Sequence, residues 1–134
     1  MNSLKGKIAA IESSSEISIV EVDVAGDIFS AIVLDIASTA PYLTAGRPVE
    51  VIFKETEVSI AKDLSGRISI RNHFKGRIEK IHWQDILTTV VLHYKANPIT
   101  SIISTRSARR LEVAEGDEVQ WLVKTNEVSL CPLT

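Results

Sequence analysis

Between residues 16 and 25 apolar positions recur with a period of two. Ile17, Ile19 and Glu21 fall on one face and Val20, Val22 and Val24 on the other. That period belongs to a half-buried strand. Gly26-Asp27 follows as a hairpin signal, and 28–34 reads as the returning strand. An earlier strand spans 5–12 and ends in the turn-like Glu12-Ser13-Ser14-Ser15. After 34 come a short helical turn, Gly46, a fourth strand at 48–54 and a fifth at 57–61. The second half reads alike, with strands at 75–82, 86–95, 98–103, 118–124 and 127–131. Its hairpin is Ala96-Asn97-Pro98 and its helical turn spans 105–111, with Ser104 as N-cap.

The two halves are copies. Lys5-Gly6-Lys7-Ile8 recurs as Lys75-Gly76-Arg77-Ile78, an offset of 70. At that offset Gly46 meets Gly116, Lys54 meets Lys124, and Glu57-Val58-Ser59 meets Glu127-Val128-Ser129. Ungapped comparison of 4–60 with 74–130 gives 12 identities, in one register. Such self-similarity marks a duplicated structural unit. The expected domains are 1–62 and 63–134. Five strands with a helix between the third and fourth predict an all-β fold of two tandem, five-stranded, OB-like barrels, each with one short helix.

Composition supports this reading. Ile, Val and Thr number 17, 13 and 9 of 134 residues, and such β-branched types favour strands. Aromatics are 5%, so the core is aliphatic, and a 24% charged fraction argues against disorder. No apolar run reaches the roughly 18 to 20 residues needed to span a bilayer, so no membrane association is expected. Fifteen basic against 17 acidic residues give a net charge of -2, a poor footprint for gripping nucleic acid. Met1-Asn2-Ser3-Leu4 lacks the apolar core of a secretory signal, and the single Cys131 has no internal disulfide partner. A cytoplasmic location is expected.

No catalytic set is apparent, and no enzyme is expected. His73, His82 and His93 lack ligand-like spacing, and neither Gly-x-Ser-x-Gly nor a phosphate loop occurs. The difference between the copies is more informative. Copy two alone has Ser69-Ile70-Arg71-Asn72 before its Lys-Gly, and Ser104 and Ser107 opening its helix. Lys124 ends its fourth strand. Hydroxyls, a guanidinium, an ammonium and helix-start N–H groups are all donors, and no carboxylate is among them. Such a set suits a tetrahedral oxyanion. The plainer alternative is that Arg71 and Lys124 are solvated charges and Ser104 is only a cap.

Ser69-Ile70-Arg71-Asn72-His73-Phe74-Lys75-Gly76-Arg77-Ile78 resembles the Ser-Ala-Arg-Asn-x-Leu-Lys-Gly-x-Val opening of the Mop, or molbindin, family, which is related to the TOBE domains of transporter ATPases. The stretch from Ile99 to Leu111 resembles that family's Ile-Thr-Ser-x-Ile-Thr-x-x-Ser-x-x-x-Leu, and Gly116 through Val128 resembles its closing motif. The resemblance covers copy two and, more weakly, copy one, as in a di-Mop protein. It implies non-enzymatic binding of molybdate or tungstate between subunits, for storage, homeostasis or sensing. Ser69 and Arg71 would come from one chain. Ser104, Ser107, Lys124 and the amide of Thr125 would come from another. Ile70 stands where Ala is usual, and Ser104 replaces Thr.

The resemblance also implies a homo-oligomer, with a trimer favoured and a dimer as the alternative. Copy one has Leu34 and Ala37 for the two serines and Met1 for the arginine, so no equivalent site is expected there. Two other functions remain open. One is a sensing domain of a larger regulator or transporter ATPase. The other is an OB-type nucleic-acid binder, which seven aromatics and the net charge disfavour.

Overall fold

The computed structural model describes residues 1–133. Among them are ten strands and one α-helix: β1 (Asn2–Ser13), β2 (Ser18–Val24), β3 (Asp27–Val33), β4 (Pro48–Phe53), β5 (Ser59–Ala61), β6 (Asn72–His82), β7 (Leu87–Tyr94), β8 (Asn97–Ser104), α1 (Thr105–Arg110), β9 (Glu118–Val123) and β10 (Ser129–Pro132). Short 3₁₀ turns, Glu55–Glu57 and Thr125–Glu127, lead into β5 and β10. None of the described helices is long and apolar enough to cross a membrane.

Two five-stranded sheets form, in the orders β10-β4-β1-β2-β3 and β5-β9-β6-β7-β8. In the first β10 also lies against β3, and in the second β5 lies against β8. Each sheet therefore curls until its outer strands meet, giving two OB-like barrels. The fifth strand of each barrel comes from the other copy of the repeat. β10 pairs with β4 through Ser129↔Ile52 to Pro132↔Val49, and β5 pairs with β9 through Ser59↔Leu122 to Ala61↔Gln120. One compact unit accordingly holds Met1, Ser3–Phe53 and the chain from Lys124 onward, and the other holds Asn2 and Lys54–Val123. The sequence repeat and the compact units are two different divisions of the chain.

The alternation in 16–25 is realised as expected. Ser18, Val20, Val22 and Val24 are buried while Ile19 and Asp23 are exposed. Val20, Val22, Phe29, Val49, Val51 and Phe53 make an apolar interior in the first unit. In the second, Val90, Leu92, Ile99 and Val123 are buried along with Trp121, whose ring packs on Phe74 and Tyr94 at 5.2 and 5.1 Å, so this core is partly aromatic rather than aliphatic as expected. The hairpin at Ala25-Gly26 has φ of 50° and 97°, and Asp23 Oδ1 accepts the Gly26 N–H at 2.8 Å. Positive φ at both central residues is what a two-residue hairpin requires.

The first and sixth strands each carry a bulge at equivalent positions, Ala9 and Glu79, where the register slips against β2 and β7. The same backbone bonds flank both. Ile8 N–H donates to Arg47 O (3.0 Å) and Gly46 N–H to Ile8 O (2.7 Å); Ile78 N–H donates to Asp117 O (2.8 Å) and Gly116 N–H to Ile78 O (2.7 Å). A bulge bends and twists a strand, which lets one strand serve two sides of a small barrel.

The repeat also reaches further than residue 4. Asn2 is buried, its Nδ2 donating to Thr100 O and its Oδ1 accepting from Thr100 N–H, both at 2.8 Å. Asn72, seventy residues later, is also buried. These asparagines start β1 and β6 three residues earlier than the apolar pattern suggests. The helical turns of the two copies differ. In copy one, Thr39 and Ala40 N–H both donate to Ile36 O, and the turn stops there, at Pro41. Copy two continues as α1. Tyr42 steadies the copy-one loop by donating to Asp35 Oδ2 at 2.8 Å. Burial and that carboxylate push its phenol up to about 12.

Gly6 explains part of the Lys-Gly motif. A Cβ there would lie 2.6 Å from Asp23 O, a backbone atom, and 2.8 Å from Val22 Cγ1; at Gly76 the nearest atom would be Trp121 Cδ1 at 3.2 Å. Gly6→Ala should therefore cost roughly 1–3 kcal/mol in urea unfolding, and Gly76→Ala clearly less. Equal losses would show that the two close approaches are not what the glycines serve.

Candidate functional site

β8 ends where α1 begins, at Ser104. Its backbone is extended, with φ −65° and ψ 143°, and its Oγ accepts the Ser107 N–H at 3.1 Å. The same hydroxyl donates to Ser107 Oγ at 2.8 Å. Both side chains are exposed. The predicted cap is thus present, but it occupies the Ser107 amide. The Ser107 N–H and the Ser104 hydroxyl proton are thus both engaged within this corner.

Beneath the serines lies a support that sequence reasoning did not single out. Thr105 Oγ1 donates to Gln84 O at 2.6 Å, so the 2.8 Å bond with Thr88 Oγ1 has Thr88 as donor. Thr105 N–H donates to Ile86 O at 2.7 Å. Thr88 and Thr105 are both buried. A threonine on the inward face of β7 was the available signal: a buried hydroxyl needs a partner, and here it finds one at the helix start.

Arg71 and Lys124 sit at one end of the β6–β9 ladder. Asn72 pairs with Val123, so Arg71 and Lys124 are the next residues on either strand. Both are exposed, and Thr125, which opens the 3₁₀ turn, is half-buried. Ser69 lies in the irregular stretch before β6 and is exposed, whereas Ile70 is half-buried. Ser104 lies toward the other end of the ladder. His82 pairs with Thr89, Thr89 with Ile102, and Leu87 with Ser104. Along β6 the chain therefore separates the Arg71 end from the Ser104 end. The described contacts join Ser104 with Ser107.

The equivalent positions of copy one are unsuited to an anion. Leu34 is 84% exposed at the place of Ser104, and Ala37 stands for Ser107. Lys54 keeps the place of Lys124, but Glu55 follows it where Thr125 follows Lys124. A bond from its own backbone N–H is the main cause that holds the Glu55 carboxyl below its usual range, so it stays ionised. Sequence comparison had overlooked this carboxylate.

Among the described residues no three His, Cys, Asp or Glu converge as a metal site. His93 Nδ1 lies 3.1 Å from Glu79 Oε1, and both are half-exposed, a surface pair between adjacent strands. Open depressions of about 240 Å³ over Lys75-Gly76-Arg77 and about 340 Å³ over Lys5-Gly6-Lys7 include none of the six candidate donors.

A family described as the TOBE domain matches residues 68–130. The TOBE match begins one residue before Ser69 and takes in all six candidate donors. Among solved structures, the cytoplasmic molybdate-binding protein ModG, in a PEG-grown form with molybdate bound, superposes with a TM-score of 0.89. Sequence identity is 26%, over 96% of this chain and 94% of that one. The likeness spans both copies of the repeat, and the TOBE match coincides with copy two. No curated protein matches the chain in sequence. Neither comparison points to an enzyme family.

The cap geometry has a direct test. Ser104→Ala should cost about 1 kcal/mol in urea unfolding through loss of the bond to the Ser107 amide. Unchanged stability would show that the Ser104–Ser107 corner is not the anchor of α1.

Proposed function

We propose that this chain is a non-enzymatic, cytoplasmic binder of molybdate or tungstate, serving molybdenum storage, homeostasis or sensing. The observation that carries this reading is a coincidence. The one half of a ModG-like chain that retains the family's donors is also the half that the TOBE family matches. Arg71 and Lys124 supply two positive charges for a dianion. Ser69, Ser104, Ser107 and the Thr125 amide supply neutral donors. Charge-assisted hydrogen bonds of this kind are about twice as strong as neutral ones.

The site is completed between chains. Ser69 and Arg71 of one chain face Ser104, Ser107, Lys124 and Thr125 of its neighbour. Separation of the Arg71 and Ser104 ends along β6 supports this. So do the exposed Ile86 (77%), Leu87 (50%) and Trp83 (46%), which border the Ser104 corner. Apolar side chains beside a charged site gain from being covered, and covering them desolvates the donors. A homo-oligomer, with a trimer favoured over a dimer, follows. Nucleic acid is not a partner in this reading.

In titration calorimetry with molybdate, Arg71→Ala and Lys124→Ala should abolish the binding heat. Ser107→Ala should weaken affinity about 10- to 100-fold, as expected for losing one bond to a charged group. Lys54→Ala should leave the titration unchanged. Full heats in both cationic variants would remove the assignment, and an equal loss in Lys54→Ala would restore a site to copy one.

A further inference from the structure

The segment leaving β5 carries a cation whose contacts have no counterpart in the first barrel. Lys62 Nζ donates to Glu112 O at 3.0 Å and to Asp117 Oδ2 at 3.3 Å. The Lys62 and Asp117 side chains are each only 29% exposed. Asp117 Oδ2 also accepts the Ala114 N–H at 2.9 Å. Glu112 follows Leu111, the C-cap of α1, and has φ 54°. Two positions further on, Leu64 N–H donates to Gln120 Oε1 at 3.4 Å. At the repeat offset of 70, Lys62 corresponds to Pro132 and Asp117 to Arg47. The first barrel, which holds Arg47 and Pro132, therefore lacks both the ammonium and the carboxylate of this clasp.

The clasp joins two segments that matter to the oxyanion donors. One is the irregular stretch 62–71, which ends in Ser69 and Arg71. The other is α1, which begins with Ser104 and Ser107 and leads into Glu112. Asp63 (φ 54°) and Gly66 (φ 85°) turn that stretch sharply, so its path is set near its start. A partly buried ammonium with two acceptors fixes direction as well as distance. Nothing in the barrel itself demands this contact, since the first barrel closes without it.

We propose that Lys62 is a positioning residue for the oxyanion site. It touches no ligand. It holds the Ser69–Arg71 segment and the Ser104–Ser107 helix of the same chain in fixed relation, so that both present their donors without a further ordering cost on binding. This inference rests on the proposed molybdate site.

The alternative role for a lysine near an anion site is long-range attraction, and the two roles differ in sign at its partner. Asp117→Asn removes a negative charge while keeping shape and an acceptor for Ala114. If Lys62 and Asp117 act as charges, Lys62→Met weakens molybdate binding and Asp117→Asn strengthens it. If they act as a clasp, both weaken it, by about fivefold each, the scale of one partly exposed ion pair. The double variant should then be no weaker than either single one. Lys62→Arg should restore most of the affinity.

Calorimetric titration of the full chain with sodium molybdate, with thermal unfolding of each variant alongside, decides. Weakening in both single variants, non-additivity in the double, and rescue by Arg at near-native unfolding temperatures is the expected result. Asp117→Asn binding as well as or better than the parent overturns the clasp. Loss of binding in Lys124→Ala with no change in Lys62→Met and Asp117→Asn overturns the clasp alone. Absence of molybdate binding by the parent chain overturns the proposed function and this inference with it.

Discussion

Each five-stranded barrel of this chain is closed by three or four residues contributed by the other copy of the repeat. β5 finishes the sheet that β6 to β9 begin, and β10 finishes the sheet of β1 to β4. An open sheet edge leaves backbone donors and acceptors unpaired, so closure by a short strand is a strong requirement. The exchange sets where the chain changes units, at Lys54 and again at Lys124. Both positions are lysines that precede a 3₁₀ turn. A residue singled out as an oxyanion donor therefore stands where the chain passes from one compact unit to the other. Its place in the fold follows from closure, whatever its chemical role.

Copies that share such a constraint are free to differ elsewhere. The bulges at Ala9 and Glu79, the close approaches of Gly6 and Gly76, and the buried Asn2 and Asn72 are common to both. These features bend, pack and start the strands. The paired serine hydroxyls and the guanidinium occur only in copy two, and the Lys62 clasp only in the second barrel. Copy one instead has Leu34, Ala37 and Glu55, which offer an anion no donor and one repulsive charge. One copy thus retains the common frame, and the other adds to that frame the donors of the proposed anion site.

Strand positions were legible from alternation, because the face a side chain takes is fixed by a period of two. The identity of the strand's neighbour is not, and so the exchange of β5 and β10 was invisible. The early starts of β1 and β6 were missed because Asn2 and Asn72 are polar; Asn2 is buried with its amide bonded to Thr100. Copy one's failure to build a helix was partly legible in Pro41 and the absent cap. Of the candidate site, Arg71, Ser104, Ser107 and Lys124 could be named from motif and donor chemistry. Their support could not. Thr105, Thr88 and Lys62 bond to partners far away in sequence, which only the folded chain brings near.

The central claim is that only copy two supplies the oxyanion donors, and that they are completed between chains. Native mass spectrometry with and without molybdate measures both parts at once, since it counts chains and ligands in the same particle. The account predicts an oligomer that holds one molybdate per chain, with monomers that hold none. Two ligands per chain, or a loaded monomer, would contradict it.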